Sequence, residues 1–450
     1  LGRVLFKRAE YKYPNLRLYS LSNRRVMKEG IILTVIGGGS SYTPELVEGI
    51  LKNAEEFPVR TLRLMDIDKT KLDIVGSLVG RMIEKESLPI TLELTNDRKE
   101  ALEDADFIVT QIRVGGIRAR IRDEKIPLEF NVIGQETTGA GGFANALRTI
   151  PVMLDIAKDI ETLSPDAWLI NFTNPSGIVT EALLNYTKVK TIGLCNVPIG
   201  FLNQFANMLD AKVEDILLDY VGLNHLSWVR KVFLKGKDVT DIVIDKIIKN
   251  LPGKEAESIK ILGMIPNGYL HYYYNREEVL ANLKSSQKTR GEVVLEVEEQ
   301  LMKKYQDKNL KEKPPELSQR GGAHYSDAAV SLMKSIYLDT RDIQIVNTTN
   351  NGAIVDLPNN AVVEVPCVIS GNGATPLSCG NLEPTIKGLI QTVKCYEQLT
   401  IESSITGDRK KAKQALLVHP LIGTPEIIDS LLERIIEENR EFLTNFFRGE

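Results

Sequence analysis

A surplus of positive charge is the first thing this sequence lacks. Fifty-six lysines and arginines face 60 acids, a formal net charge of -4. That balance speaks against a nucleic-acid partner and leaves room only for a local basic pocket that takes a small anion. Cysteine is sparse too. Cys195, Cys367, Cys379 and Cys395 show neither zinc-type nor disulfide-framework spacing, which points to a reducing cytoplasm. No apolar run approaches the roughly 18 residues that span a bilayer, so a membrane is not an expected partner. What remains is a soluble globular composition, 43% hydrophobic and 26% charged. At 450 residues it is too long for one ordinary core, and two domains are expected.

Residues 1–26 stand apart. Arg3, Lys7, Arg8, Lys12, Arg17, Arg24 and Arg25 meet a single acid, Glu10. Targeting peptides share this basic, acid-poor character, but the stretch has no apolar central segment. Met27 lies just before the first apolar run, so the expectation is a natural start at Met27 and a non-native or disordered extension before it. N-terminal mass spectrometry of protein from the native host checks this; peptides containing Leu1 would refute it.

From there strands alternate with helices. "IILTVI" (31–36) is a continuous apolar run that ends in a Gly-rich turn, and Pro44 falls in the first turn of the helix after it. A second strand is predicted at 61–68, a helix at about 69–86, and further strands at 104–113, 167–175 and 191–196. This alternation predicts an α/β fold, with a doubly wound parallel sheet over residues 27–196. Beyond it the pattern changes: a hairpin over 231–243, a meander over 346–370, a charged surface loop over 304–320, and a long helix over 424–447 with Thr424 as N-cap and Pro425 at N1. Residues 197–450 are therefore expected to form a mixed α+β second domain.

The turn after the first strand, Gly37-Gly38-Gly39-Ser40, reads as a phosphate cradle. Glycine lets the backbone approach a pyrophosphate, and the following helix offers its N–H groups and positive dipole. Tyr42 replaces the third glycine of the usual dinucleotide fingerprint. Asp66, at the end of the second strand, is placed to take a ribose hydroxyl and favours NAD over NADP; Asp68 is the alternative.

"TIGLCNVP" (191–198) and "GLNHLSW" (222–228) bring a strand-end cysteine and one of only four histidines. By themselves, Cys195 and His225 read equally as core residues or as a metal pair. Long blocks around them decide between these readings: "IGGGSSYTPELV" (36–47), "QIRVGGIRARIRDEKIPLEFNVIGQETTGAGG" (111–142), "NFTNPSGIVTEAL" (171–183), "NGYLHYYY" (267–274), "TRGEVVLEVE" (289–298) and "RGGAHYSDAA" (320–329). With these the chain resembles glycoside hydrolase family 4, over essentially everything after Met27. Members are NAD- and metal-dependent glycosidases that depart from the usual pair of catalytic carboxylates.

The resemblance implies a lactate/malate dehydrogenase-like first domain and a transient oxidation chemistry. The sugar is oxidised at carbon 3 by NAD, the proton on carbon 2 is removed, and the glycosidic oxygen is eliminated. Water then adds at carbon 1 and the hydride returns. Cys195 and His225 match the ligands of a divalent metal, usually manganese, and Tyr269 matches the catalytic base, with Tyr272 and Tyr273 as alternatives in register. Arg113, Arg118 and Arg290 are candidates for holding phosphate or sugar oxygens. Asn174 is a candidate for substrate hydroxyls and Asn171 for the nicotinamide side; Glu136 either orients substrate or is structural. His271 reads as a neighbour of the tyrosines and His419 as structural.

Asn196 follows the metal cysteine where 6-phospho-α-glucosidases often carry Asp, the pattern of 6-phospho-β-glucosidases. The expected activity is therefore release of glucose 6-phosphate from a phosphorylated disaccharide or aryl β-glucoside 6-phosphate, by a homodimer or homotetramer. The alternatives are a 6-phospho-α-glucosidase or other glycosidase of the same family, and an NAD-dependent hydroxyacid dehydrogenase.

Overall fold

The computed structural model describes residues 30–251, 253–320 and 325–447; the extension expected over residues 1–26 lies outside them. Six parallel strands come first: β1 (Ile31–Ile36), β2 (Val59–Met65), β3 (Thr91–Thr95), β4 (Phe107–Thr110), β5 (Trp168–Asn171) and β6 (Lys190–Gly193). They lie in the order β3-β2-β1-β4-β5-β6, the doubly wound arrangement of dinucleotide-binding domains. Every residue of β1 is buried, because helices cover both faces of the sheet. β3 escaped the sequence reading for the opposite reason. It forms the sheet edge, and no residue of "TLELT" is fully buried, so it leaves no apolar run.

Four strands follow: β7 (Ile216–Leu223), β8 (Leu226–Leu234), β9 (Lys237–Asp238) and β10 (Ile265–Pro266). They form a small antiparallel sheet packed on its own cluster of Phe205, Leu218, Tyr220, Val229, Val232 and Ile247. The hairpin expected over 231–243 is shorter at its far end. Asp238 Oδ1 accepts from Thr240 N at 3.0 Å and Thr240 Oγ1 at 2.6 Å, which turns the chain into a helix over Thr240–Asn250.

The chain then returns. β11 (Asp342–Thr349), β12 (Val362–Ser370) and β13 (Gly373–Pro376) pair antiparallel and add to the large sheet through Asn347 opposite Gly193. Nine strands, β13-β12-β11-β6-β5-β4-β1-β2-β3, thus form one sheet that draws on both sides of the boundary expected at residue 196. The closing helix starts as expected, at Pro425 after Thr424, but ends at Glu438, with a short 3₁₀ turn over Thr444–Phe447. Among the described residues no helix is long and apolar enough to cross a membrane.

Candidate active site

A cavity of about 1410 Å³ runs along the carboxyl ends of the parallel strands, where ligands bind in open α/β sheets. Its two ends are built differently.

At one end lie Gly37, Gly39, Ser40, Asp66 and Asp68. Gly37 has φ +91°, a left-handed conformation that favours glycine. Gly37 and Gly38 donate their N–H groups to Met65 O at 2.9 and 2.8 Å. Gly38 is itself pressed against β2: a Cβ there would lie 2.7 Å from Leu64 Cβ. The Asp66 carboxylate accepts from Gly39 N and Asp68 N, both at 2.9 Å. The Asp68 carboxylate instead caps the helix over Lys69–Glu86 through Lys71 N. Asp66 thus belongs to the Gly-rich turn and Asp68 to the helix start. Tyr42, in place of the third glycine, packs edge-on against Tyr325 and under Arg320.

At the other end are Arg113, Arg120, Glu136, Asn174, Asn196, His225, Tyr269, Tyr272 and Arg290. The helix over Gly116–Glu129 turns Ile117, Arg120, Glu124 and Leu128 toward the cavity, a spacing of three and four residues that marks one helical face. Arg118 falls off that face and is exposed outside the cavity; Arg120 takes the place expected for it. Glu136 sits between two guanidinium groups, paired with Arg113 and, at 3.0 Å, with Arg120. Burial raises a carboxyl group, but these two cations more than offset it and hold Glu136 below its ordinary range. Arg290 opens the helix over Arg290–Tyr305, at a Thr289–Glu292 capping box. Its guanidinium donates to Gln319 O and Arg320 O at 3.0 and 3.2 Å.

His225 occupies the turn between β7 and β8 at φ +63°, a backbone conformation that costs a non-glycine residue about 1 kcal/mol or more. The turn is pinned from below. The buried Glu364 carboxylate of β12 accepts from Tyr220 (2.7 Å), Asn224 (3.0 Å) and Asn347 (3.0 Å). The imidazole stacks on Tyr269, ring centroids 3.8 Å apart and planes within 10°. Burial lowers its pKa to about 4, against a smaller opposing pull from Glu136. Tyr269 is set by Asn267, whose side chain accepts from Tyr269 N at 2.8 Å. Burial, then Cys195 and Glu136, push the Tyr269 phenol well above its ordinary range.

Cys195 follows β6, is 4% exposed and lies just behind the cavity wall, its Sγ 4.0 Å from Asn196 Oδ1. Burial and Glu364 raise its thiol, while hydrogen bonds from Val197 N, the Asn224 side chain and Asn196 N work the other way. A soft thiol cradled by donors and acting on Tyr269, which stacks on His225, fits a divalent cation, whose charge would favour the thiolate. Among the described residues no three His, Cys, Asp or Glu gather as a ready-made cage. Cys195 and His225 would therefore leave positions open for substrate and water.

The expected site residues differ in position. Asn171 is fully buried and does not line the cavity; its amide is engaged by Thr110, Thr173 and Thr180, so it fixes the loop that presents Asn174. Tyr269 and Tyr272 line the cavity, whereas Tyr273 does not: its hydroxyl meets Thr138 Oγ1 at 2.8 Å. His419 is fully buried and accepts from Leu421 N at 3.1 Å, a structural role as expected. His271 touches Gly268 O and stacks on Tyr272. Arg120, Arg320 and Tyr325 are cavity residues that sequence reasoning missed.

With this geometry in hand, two family models cover the chain: family 4 glycosyl hydrolase over residues 32–211 and its C-terminal domain over 220–422. The chain belongs to glycosyl hydrolase family 4. It is 48% identical to a probable 6-phospho-β-glucosidase of Bacillus subtilis (strain 168), over 94% of this chain and 99% of the relative. The solved structure of the 6-phospho-β-glucosidase of Thermotoga maritima, with manganese, NAD+ and glucose 6-phosphate, superposes with a TM-score of 0.86 at 39% identity, covering 91% of this chain and 99% of that one. Malate dehydrogenase of Cryptosporidium parvum shares the fold alone, with a TM-score of 0.53 at 15% identity over 84% and 99% of the two chains.

Proposed function

We propose that this chain hydrolyses 6-phospho-β-glucosides with NAD and a divalent metal, by transient oxidation at carbon 3. One observation carries the reading: the stack of Tyr269 on His225 shares a cavity with the Gly-rich turn and Asp66. The relatives' activities and the manganese, NAD+ and glucose 6-phosphate bound by one of them support it.

Bound together, NAD and the metal supply a reversible oxidant for carbon 3 and a Lewis acid beside it. The chain's own residues do the rest. The side-chain-free turn Gly37–Gly39 lets a pyrophosphate come close to the backbone at the start of the helix over Thr43–Lys52, and Asp66 takes a ribose hydroxyl. Arg113, Arg120 and Arg290 offer guanidinium forks to the phosphate and sugar oxygens, and Glu136 keeps the first two apart and oriented. Asn174 and Asn196 position the sugar. Tyr269 accepts the carbon 2 proton. It does so as the phenolate; burial favours the protonated phenol, so Arg120 and, when bound, the metal would supply the positive charge that favours that form. Asn196 cannot protonate a leaving group, so the aglycone takes its proton from water or from another donor in the cavity.

A homodimer or homotetramer in a reducing cytoplasm belongs to this reading. The free state of all four cysteines supports the compartment, and light scattering measures the mass.

The test is hydrolysis of p-nitrophenyl-β-D-glucoside 6-phosphate with NAD and manganese, set against the α-anomer, the unphosphorylated sugar and an EDTA-treated sample. The expected result is metal-dependent hydrolysis of the phosphorylated β-anomer without net NADH. Solvent deuterium should enter carbon 2. Hydrolysis that survives EDTA would refute the mechanism.

A further inference from the structure

The loop Gly134–Thr138 precedes the helix over Gly139–Leu163 and passes directly beneath His225. It is clamped by contacts that exclude side chains. A Cβ on Gly134 would lie 1.8 Å from Glu124 O, and one on Gly141 2.3 Å from Gln135 O. Inside this clamp the Gln135 side chain folds back on its own loop. Its Oε1 accepts from Thr137 N at 2.6 Å, Thr138 N at 2.8 Å and Thr137 Oγ1 at 2.8 Å. Thr137 Oγ1 in turn lies 2.8 Å from His225 Nδ1. Gln135, Thr137 and His225 are 8%, 8% and 7% exposed, so these bonds are made within the protein.

Donor and acceptor roles along this chain are forced. Two backbone N–H groups can only donate, so the Gln135 atom facing them is its carbonyl oxygen. That oxygen can only accept, so the single proton of the Thr137 hydroxyl points to it. The Thr137 oxygen is then left as acceptor toward the imidazole, and Nδ1 must carry the hydrogen. A neutral imidazole has one such hydrogen. Nε2 is therefore bare.

We infer that Gln135 and Thr137 are positioning residues that lock His225 in the Nδ1–H tautomer and so present Nε2, with its lone pair free, as the ligating atom. The inference rests on the reading of His225 as a metal ligand and adds what makes it one. Imidazole free in water prefers the opposite tautomer, with hydrogen on Nε2, which would have to be displaced before a cation could bind. Partners of this kind orient metal-bound histidines and raise their basicity. Here the relay is two residues deep and anchored on backbone, so it stands before any cation arrives.

The experiment uses metal-free full-length protein labelled with ¹⁵N only in its four histidines. Solid-state ¹⁵N spectra are taken above neutral pH, and the His225 signals are assigned by their loss in His225→Gln. Manganese affinity is measured separately by electron paramagnetic resonance of the free ion. Wild type and Thr137→Ser should show the Nδ1–H pattern. Thr137→Val should show Nε2–H or a mixture, and bind manganese about tenfold or more weakly. An Nε2–H pattern in wild type would overturn the inference without requiring any variant to fold, and so would a pure Nδ1–H pattern in Thr137→Val. Manganese affinity unchanged in His225→Gln would instead remove the metal assignment and leave the tautomer result standing.

Discussion

The two ends of the cavity solve the same problem, holding a charged ligand, by opposite means. The end with the Gly-rich turn is local and made of backbone: Gly37 to Asp66, one turn-helix-strand unit whose own N–H groups are tied to Met65 and Asp66 and hold the turn's shape. The other end is assembled from segments far apart in the chain, and several of its side chains are held by other polar groups. Glu136 sits between arginines, His225 over the Thr137 relay, the Asn224 turn on Glu364. The first kind of site needs a backbone shape; the second needs a buried polar network that stays satisfied throughout, because an unpaired buried group costs more than a bond returns.

That contrast predicts how each end fails. The largest effect is expected at the catalytic end. Cys195→Ala should lower hydrolysis of the phosphorylated β-anomer by about a thousandfold or more, the scale of several kcal/mol of lost Lewis-acid stabilisation. NAD affinity, followed by cofactor fluorescence, should remain. Loss of both together would mean that the two ends are not separable.

Next comes the ion pair that anchors the loop bearing Glu136. Arg148 and Asp123 are fully buried and bonded twice, at 2.6 and 2.7 Å, with Asn439 Oδ1 at 2.9 Å from the same guanidinium. They join the helix over Gly139–Leu163 to the one over Gly116–Glu129 and to the C-terminal helix. Arg148→Met strands the Asp123 carboxylate and should cost about 3–5 kcal/mol in urea unfolding.

A third prediction concerns pH. Lys394 lies buried between Glu181 and Glu397. Burial lifts Glu397 to about 7, with Lys394 opposing and Glu181 adding. Its folded value stands above the ordinary carboxylate range, so the folded state binds the extra proton. Stability should therefore fall as pH rises from about 4 to 7, by on the order of 3 kcal/mol. Glu397→Gln should flatten that fall in unfolding curves compared at pH 5 and pH 8; an unchanged slope would assign it to other groups. The smallest effect sharpens the local end: Asp68→Ala removes a helix cap at about 1 kcal/mol and should leave NAD affinity unchanged, whereas Asp66→Ala should weaken it.

The same contrast explains what could be read from the sequence. The Gly-rich turn, Asp66 and the parallel strands were legible because each is written in a short window. Cys195, His225 and Tyr269 stand out as candidates only through their family blocks, since a lone cysteine or histidine carries no periodic signal. Arg118 lies off the inward face because the chain is helical from residue 116, and the repeat Ile117–Arg120–Glu124–Leu128 marks that face. Gln135 and Thr137 gave no signal, since their role depends on a histidine 88 residues further on. Nor did any local pattern announce that β11 would pair with β6.

That last pairing bears on how the molecule is made. β6 is complete once residue 193 has been synthesised, yet its neighbour begins only at residue 342. While the ribosome adds the segment between them, an apolar strand edge stands open, the kind of edge that recruits other chains. The large sheet is begun at residue 31 and completed only with β11, β12 and β13, so a chaperone or a pause acting in that interval would cover the edge while it is open.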